Sequence, residues 1–211
     1  MMLKEYKTKQ FSDFKLYCGD STDVMSQIDN QFDMIFADPP YFLSTGNGRV
    51  NINGKYIKFD KGEWDKVRSS DEKDKFNMSW LTLCKERLKN NGTIWVSGTY
   101  HNIFSVADCM ESLGFNILNF IIWHKTDPPH SLTEKRFDFS AEYIIWASKT
   151  KYADHYFNKE LMTAMNNGEP MQDVWTMSAA EQWEKMCGKH PTQKPLQLLY
   201  RIIMASTLPG A

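Results

Sequence analysis

Asp38-Pro39-Pro40-Tyr41 puts a carboxylate, two prolines and a phenol ring into four consecutive residues. The carboxylate accepts hydrogen bonds, and so does the carbonyl of Pro39. Each proline has a fixed φ and no N–H, so the turn is stiff and its carbonyls stay out of any ladder. Tyr41 brings a flat face within reach. Two acceptors beside an aromatic plate suit a planar exocyclic –NH2 group. Both of its hydrogens are held while its ring stacks on the tyrosine. That draws the nitrogen lone pair out of ring conjugation and makes the nitrogen nucleophilic without prior deprotonation. The competing reading is a strand followed by a proline-rich turn with no chemistry.

Such a turn needs a rigid platform. Phe32 to Ala37 is a short apolar run that stops at Asp38, which reads as a buried strand ending in the turn. Ser69-Ser70-Asp71-Glu72 predicts a capping box. Phe76, Trp80, Leu83, Cys84 and Leu88 then recur at helical spacing up to Asn91-Gly92. Thr93 to Ser97 predicts the next strand, and Ile103, Phe104, Ala107, Met110 and Leu113 predict a helix stopped by Gly114. Phe115 to Trp123 and Glu142 to Ala147 are apolar and β-rich. A helix over Lys159 to Met165 ends at Asn167-Gly168. Pro195 to Ser206 predicts an amphipathic helix with Leu196, Leu199, Ile202 and Ile203 facing inward. This order predicts an α/β domain with a mostly parallel sheet and ligands at the carboxyl ends of its strands.

The 211 residues are 42% hydrophobic and 24% charged, which excludes a disordered or fibrous chain. The net charge of −1 gives no global basic field, so any nucleic-acid binding must use a local groove. Aromatic residues make up 14%, with seven Trp, and serve cores or stack on bases. Cys18, Cys84, Cys109 and Cys187 form no CxxC pair, so neither a zinc site nor a disulfide scaffold is expected, and a reducing cytoplasm fits. The five His show no metal spacing, so no metal is expected. Met1 to Gln10 has no apolar signal core, and no apolar run approaches the roughly 20 residues of a membrane span.

The four-residue turn resembles the signature of amino-group DNA methyltransferases, which use S-adenosyl-L-methionine to methylate adenine N6 or cytosine N4. Asp38 to Ser44, Asp60 to Asp65, Gly92 to Gly98 and His190-Pro191-Thr192-Gln193-Lys194-Pro195 occur in the order of the β arrangement, in which the catalytic half precedes the cofactor half. An aspartate at the first motif position is typical of adenine-N6 enzymes. The finer likeness is to the adenine methylases of GATC-type restriction-modification systems, including those that accept single-stranded DNA. The resemblance implies a Rossmann-like α/β methyltransferase sheet, incomplete at the C-terminus, with a small inserted or appended DNA-recognition segment. It implies a catalytic half over 1–150, a target-recognition segment over 151–187 and the start of the cofactor-binding half over 188–211.

The resemblance also implies roles. Asp38 and the Pro39 carbonyl hold the target amine, and Tyr41 stacks on a base flipped out of the duplex. Gly19-Asp20-Ser21 either touches the cofactor's adenine or is a plain turn. His190, Thr192, Gln193 and Lys194 line the methionine end of the cofactor beside Asp38, and Lys194 pairs with its carboxylate. Trp64 and Asp65 either close over the base or belong to a solvated loop. Lys125 either holds a phosphate or sits in water. Lys135, Arg136, Lys149 and Lys151 are local basic spots for DNA. DNA is the expected partner, a homodimer is possible and the cytoplasm is the expected location.

The family carries a glycine-rich cofactor loop soon after the His190–Pro195 segment. Leu208-Pro209-Gly210-Ala211 stands where the strand leading to it belongs, and no G-x-G occurs in that context. The expectation is a truncated chain with little or no methyl transfer on its own, which tight S-adenosylmethionine binding in calorimetry would contradict. Cytosine-N4 transfer and a non-catalytic DNA-binding remnant are the alternatives.

Overall fold

A computed structural model of the chain describes residues 5–8, 11–44, 49–52, 55–58, 65–66, 68–128, 135–186, 188, 190 and 192–211. Trp64, Cys187 and Pro191 lie outside the described residues. Strands β1 (Glu5–Thr8) and β2 (Phe11–Tyr17) form an antiparallel hairpin. The short helix α1 (Ser21–Ser26) leads into β3 (Phe32–Ala37), the strand predicted before the turn. After it, β4 (Arg49–Ile52) and β5 (Lys55–Lys58) make a second antiparallel ribbon.

Ser69 caps α2 (Ser70–Arg87) through the predicted box: its hydroxyl accepts from the Glu72 N–H while Glu72 reaches back to the Ser69 N–H. The helix stops earlier than its periodicity implies. Leu88 takes an extended backbone and pairs with Phe32, so β6 runs Leu88–Gly98. Pairing between β3 and β6 then jumps from Phe32–Leu88 to Met34–Thr93. Gly92 sits in that irregularity, where a Cβ would stand 3.0 Å from the Phe32 carbonyl oxygen and 3.1 Å from that of Asp33. Helix α3 (Ile103–Ser112) ends as expected, with Gly114 at φ +75°. β7 (Asn116–Lys125), β8 (Ala141–Ser148), α4 (Lys159–Met165), β9 (Val174–Met177) and α5 (Leu196–Ser206) complete the chain.

The central sheet has the order β3-β6-β8-β7-β9. It is mixed rather than mostly parallel. β3/β6 and β7/β9 are parallel, whereas β8 runs antiparallel to both of its neighbours. The described residues between β7 and β8, 126–128 and 135–140, form no helix. Antiparallel neighbours such as β7 and β8 need no helical crossover, whereas parallel ones do.

Alternation along the central strands builds a core on each face of the sheet. Ile94, Val96, Ile145 and Ala147 meet α2 and α3 through Leu81, Cys84, Val106 and Met110. Trp95, Ile144 and Trp146 point the other way and meet α4 and α5 through Met162, Leu198, Ile202 and Ala205. The Trp95 and Trp146 indoles stack with centroids 4.8 Å apart, and Trp95 Nε1 donates to Ser206 Oγ at 3.0 Å.

One expectation changes here. The inward face of α5 is Leu198, Ile202 and Ala205, while Leu196 and Ile203 are exposed. The apolar set was wide enough to allow either face, and the fit against the indoles selects one. Part of the segment 151–187 joins the sheet and its core: β9 pairs with β7, and Met162, Trp175 and Met177 are core residues.

Candidate functional site

One edge of the sheet collects the polar groups. Parallel β3 and β6 end there, at Ala37 and Gly98, and so do parallel β7 and β9, at Lys125 and Met177. Antiparallel β8 begins there, which brings Glu142 to the same edge.

Asp38 leaves the end of β3 with its side chain 31% exposed. Its Oδ1 accepts from Ser97 Oγ at 2.6 Å and from the Tyr41 hydroxyl at 3.0 Å. Its Oδ2 accepts from Lys194 Nζ at 2.8 Å, across 156 residues of sequence. Each carboxylate oxygen offers two lone pairs, so Oδ1 is filled and Oδ2 keeps one open. The carboxylate is therefore engaged by its own chain, with one lone pair left on Oδ2.

Tyr41 is 7% exposed, so its ring is not an open plate. Lys194 Nζ lies 5.0 Å from the ring centroid. The hydroxyl also lies 3.1 Å from Glu142 Oε2, and Glu142 Oε1 is 2.5 Å from Lys125 Nζ. Burial, then the Glu142 and Asp38 carboxylates, push the hydroxyl well above the ordinary tyrosine range, so it stays protonated.

The turn is held from outside itself. Asp65 Oδ1 accepts from the Tyr41 N–H at 3.0 Å, and its Oδ2 accepts from Ser44 Oγ at 3.0 Å. Asp65 is 1% exposed, so it belongs to the scaffold of the turn and to neither a lid nor a solvated loop. Asn102 Nδ2 donates to the Pro40 carbonyl at 3.1 Å. Asn77 Nδ2 on α2 donates to Asn102 Oδ1 at 2.8 Å, and Trp80 Nε1 donates back to Asn77 Oδ1 at 3.2 Å. Phe42 adopts φ +56°, a region costly for a bulky residue, and is pinned edge-on against Phe76 with Arg68 over both rings. No hydrogen bond reaches the Pro39 carbonyl among the described residues.

Of the residues expected at the cofactor, Lys194 alone meets Asp38 directly. It is 8% exposed, and its ammonium is committed to the aspartate. Thr192 Oγ1 and His190 Nδ1 bond each other at 3.2 Å, and Gln193 Nε2 donates to the Glu184 carbonyl at 2.8 Å. Asp20 caps α1, accepting from the N–H groups of Thr22 and Asp23, and the Thr22 bonds hold its carboxyl below the ordinary range. Among the described residues neither Asp20 nor Ser21 contacts Asp38 or 192–194. Lys149 donates to the Leu88 carbonyl at the opposite edge of the sheet, so Lys149 and Lys151 stand away from the turn. Lys125 pairs with Glu142 rather than standing in water.

A cavity of about 470 Å³ opens beside the start of α5, lined by Trp183, Glu184, Pro195, Leu196, Gln197 and Tyr200. Pro195 directly follows Lys194 in the chain, whose ammonium is turned to Asp38. Its aromatic walls, Trp183 and Tyr200, fit a flat ring, and its charged lining residues are Glu181 and Glu184. Among the described residues no group of three or more His, Cys, Asp or Glu is placed to hold a metal ion, and no helix is long and apolar enough to cross a membrane.

Sequence reasoning missed Glu142, Asn77 and Asn102. Glu142 reads as an ordinary strand start, and nothing local marks it. A polar Asn on the apolar face of a helix, as at Asn77, is a signal of a buried partner.

Residues 32–211 match the N6/N4 DNA methylase family. Type II methyltransferase M2.DpnII of Streptococcus pneumoniae is 49% identical over 212 residues, covering 100% of the chain and 78% of the relative. M2.MboI of Moraxella bovis is 46% identical, covering 98% of the chain and 76% of the relative. M2.LlaDCHI of Lactococcus lactis subsp. cremoris is 49% identical, with 98% and 77% covered. Among solved structures, the M1.HpyAVI–SAM complex aligns with TM-score 0.63 and 25% identity over 90% of the chain and 76% of that protein. PvuII DNA methyltransferase (cytosine-N4-specific) shares the fold, at TM-score 0.67 and 18% identity over 92% of the chain and 71% of that protein. A stiff acidic turn at the mouth of a mixed sheet, matched over most of its length by these proteins, makes the chain a member of the N6/N4 DNA methylase family.

Proposed function

We propose that this chain carries the methyl-transfer site of a DNA adenine-N6 methyltransferase acting at GATC-type sites within a restriction-modification system. The observation that carries the reading is Asp38, an aspartate in the first position of the turn, fixed at the sheet edge by Ser97 and Tyr41 and facing Lys194. The likeness to the Type II methyltransferases supports the reaction class and the system.

S-adenosyl-L-methionine supplies an electrophilic methyl group when bound. Lys194 is the residue to hold its carboxylate, and the cavity beside Pro195 and Tyr200 takes its flat ring. His190, Thr192 and Gln193 shape that end of the site, and the role of Asp20 and Ser21 at the cofactor rests on the family resemblance alone, since Asp20 caps α1. Asp38 and the Pro39 carbonyl accept the two hydrogens of adenine N6, which localises the lone pair on the nitrogen and aims it away from the ring. The Asp38 carboxylate also balances the positive charge that develops on the nitrogen as it attacks, and it is placed to take the proton released. Tyr41 borders the base. Adenine N6 is buried in the paired duplex, so the base must be flipped out to reach this edge. The stretch 151–187 and the basic residues Lys135 and Arg136 face the DNA. A DNA substrate and the expected reducing environment of the four cysteines support a cytoplasmic location.

The test is Asp38→Ala in the whole gene product. Losing the acceptor and the developing-charge partner is expected to lower methyl incorporation at least about 100-fold, consistent with removal of one electrostatic catalytic group. The circular dichroism spectrum should be retained. Digestion of the methylated DNA is expected to release N6-methyladenine. Release of N4-methylcytosine, or full activity of Asp38→Ala, overturns the reading.

A further inference from the structure

Two carboxylates compete for the same two donors at this edge. The Tyr41 hydroxyl lies 3.0 Å from Asp38 Oδ1 and 3.1 Å from Glu142 Oε2. The Lys194 ammonium lies 2.8 Å from Asp38 Oδ2 and 3.9 Å from Glu142 Oε2. A tyrosine hydroxyl has one hydrogen, so it serves one carboxylate at a time. With that hydrogen and Ser97 on Oδ1, and Lys194 on Oδ2, Asp38 has one lone pair left for an incoming amino group.

We propose that Glu142 is a positioning residue for methyl transfer: it is the standby acceptor that takes the Tyr41 hydroxyl, and draws Lys194, off Asp38 when the target amino group binds. The inference rests on the function proposed above and deepens it. Near-equal distances mean that turning the hydroxyl from one carboxylate to the other needs rotation about a single C–O bond and no movement of the backbone. Glu142 is fixed for this task. It is the second residue of β8, opposite Trp123 of β7, and Lys125 holds its other oxygen at 2.5 Å. Its side chain is 13% exposed, so water does not readily replace it as acceptor. Ser97 has its own alternative, the Ala37 carbonyl at 3.4 Å. Lys194 has the Thr192 carbonyl at 3.3 Å and the Glu142 charge at 3.9 Å, so each donor now on Asp38 has a second partner, and Glu142 is that partner for Tyr41 and an ion-pair partner for Lys194.

The test is a double-mutant cycle in the whole gene product with Glu142→Gln and Tyr41→Phe, read two ways. Methyl transfer gives kcat and the KM for cofactor. An oligodeoxynucleotide with 2-aminopurine at the target adenine reports placement of the flipped base without turnover. Glu142→Gln keeps the side-chain volume and removes the charge that draws the two donors. It is expected to lower kcat at least tenfold with the cofactor KM within twofold, and to lower the 2-aminopurine signal at least threefold. In the Tyr41→Phe background, where there is no hydroxyl to receive, the same change should cost at least threefold less. Wild-type kcat and fluorescence in Glu142→Gln, or losses that multiply independently, overturn the proposal. If Glu142→Gln does not fold, Glu142→Asp carries the test, because its carboxylate is kept for Lys125 but drawn back from the hydroxyl; at least threefold loss is expected, and none overturns it. A wild type that leaves adenine unmethylated strikes the proposed function, whereas an active wild type with an indifferent Glu142 strikes only the positioning role.

Discussion

Tyr41 and Asp38 show how much chemistry one turn can hold in tension. The tyrosine hydroxyl is buried between two carboxylates, and its proton affinity is raised by burial first and by Glu142 and Asp38 after it. A raised value means that the folded chain keeps this proton where an unfolded tyrosine, with an ordinary value of about 10, releases it. The stability contributed by this group is complete below about pH 10 and is lost as the pH rises above it. Urea unfolding between about pH 9 and about pH 11 should therefore show a steeper fall for the wild type than for Tyr41→Phe. Equal slopes would mean that the hydroxyl is not held as described. The aspartate's engagement with Lys194 has the complementary consequence: a single lone pair, on Oδ2, stays open for a further donor.

The elements position these residues through a few close contacts. The irregular pairing of β3 with β6 sets where Ser97 stands relative to Asp38, and it depends on Gly92. A methyl group there would meet two backbone carbonyls, which cannot give way as a flexible side chain does. Gly92→Ala is expected to cost about 1–3 kcal/mol, the usual range for forcing extra volume into a packed site. Chemical denaturation measures it, and an unchanged midpoint would contradict the close approach. The chain of Asn77, Asn102 and the Pro40 carbonyl ties α2 to the turn in the same way. A helix that looks purely structural thus fixes the orientation of the prolines.

Across the whole molecule, α5 joins the two ends of the sequence. Its Ile202 and Leu198 pack on the tryptophan face of the sheet, and Lys194, just before its N-cap Pro195, reaches the turn after β3. Ile202 is fully buried, so Ile202→Ala is expected to lower stability by about 2–5 kcal/mol through lost contacts and a cavity. Thermal and urea unfolding check this, and a loss below 1 kcal/mol, on the order expected for a surface change, would place the helix elsewhere. The same packing makes the sheet mixed. β8 runs antiparallel to both β6 and β7, and that reversal delivers Glu142 to the edge that holds Asp38 instead of the far one.

The sequence alone determined what depends on neighbours in the chain. The apolar run Phe32–Ala37 stopped by two prolines is a strand and a stiff turn, Ser69 and Glu72 cap a helix, and Gly114 ends one, because each feature is decided by local backbone geometry and periodicity. It also carried the Asp38–Tyr41 motif and the His190–Pro195 segment, though not their meeting. Periodicity says that a helix has an apolar face; it does not say which surface covers it, and so the inward side of α5 and the place of 151–187 in the sheet were left to packing. A lone Glu at a strand start looks the same in water as in a site. Only the fold, by burying the edge where β8 begins, brought Glu142 onto a tyrosine 101 residues before it and Lys194 onto an aspartate 156 residues away, where scarce solvent makes each charge seek the other.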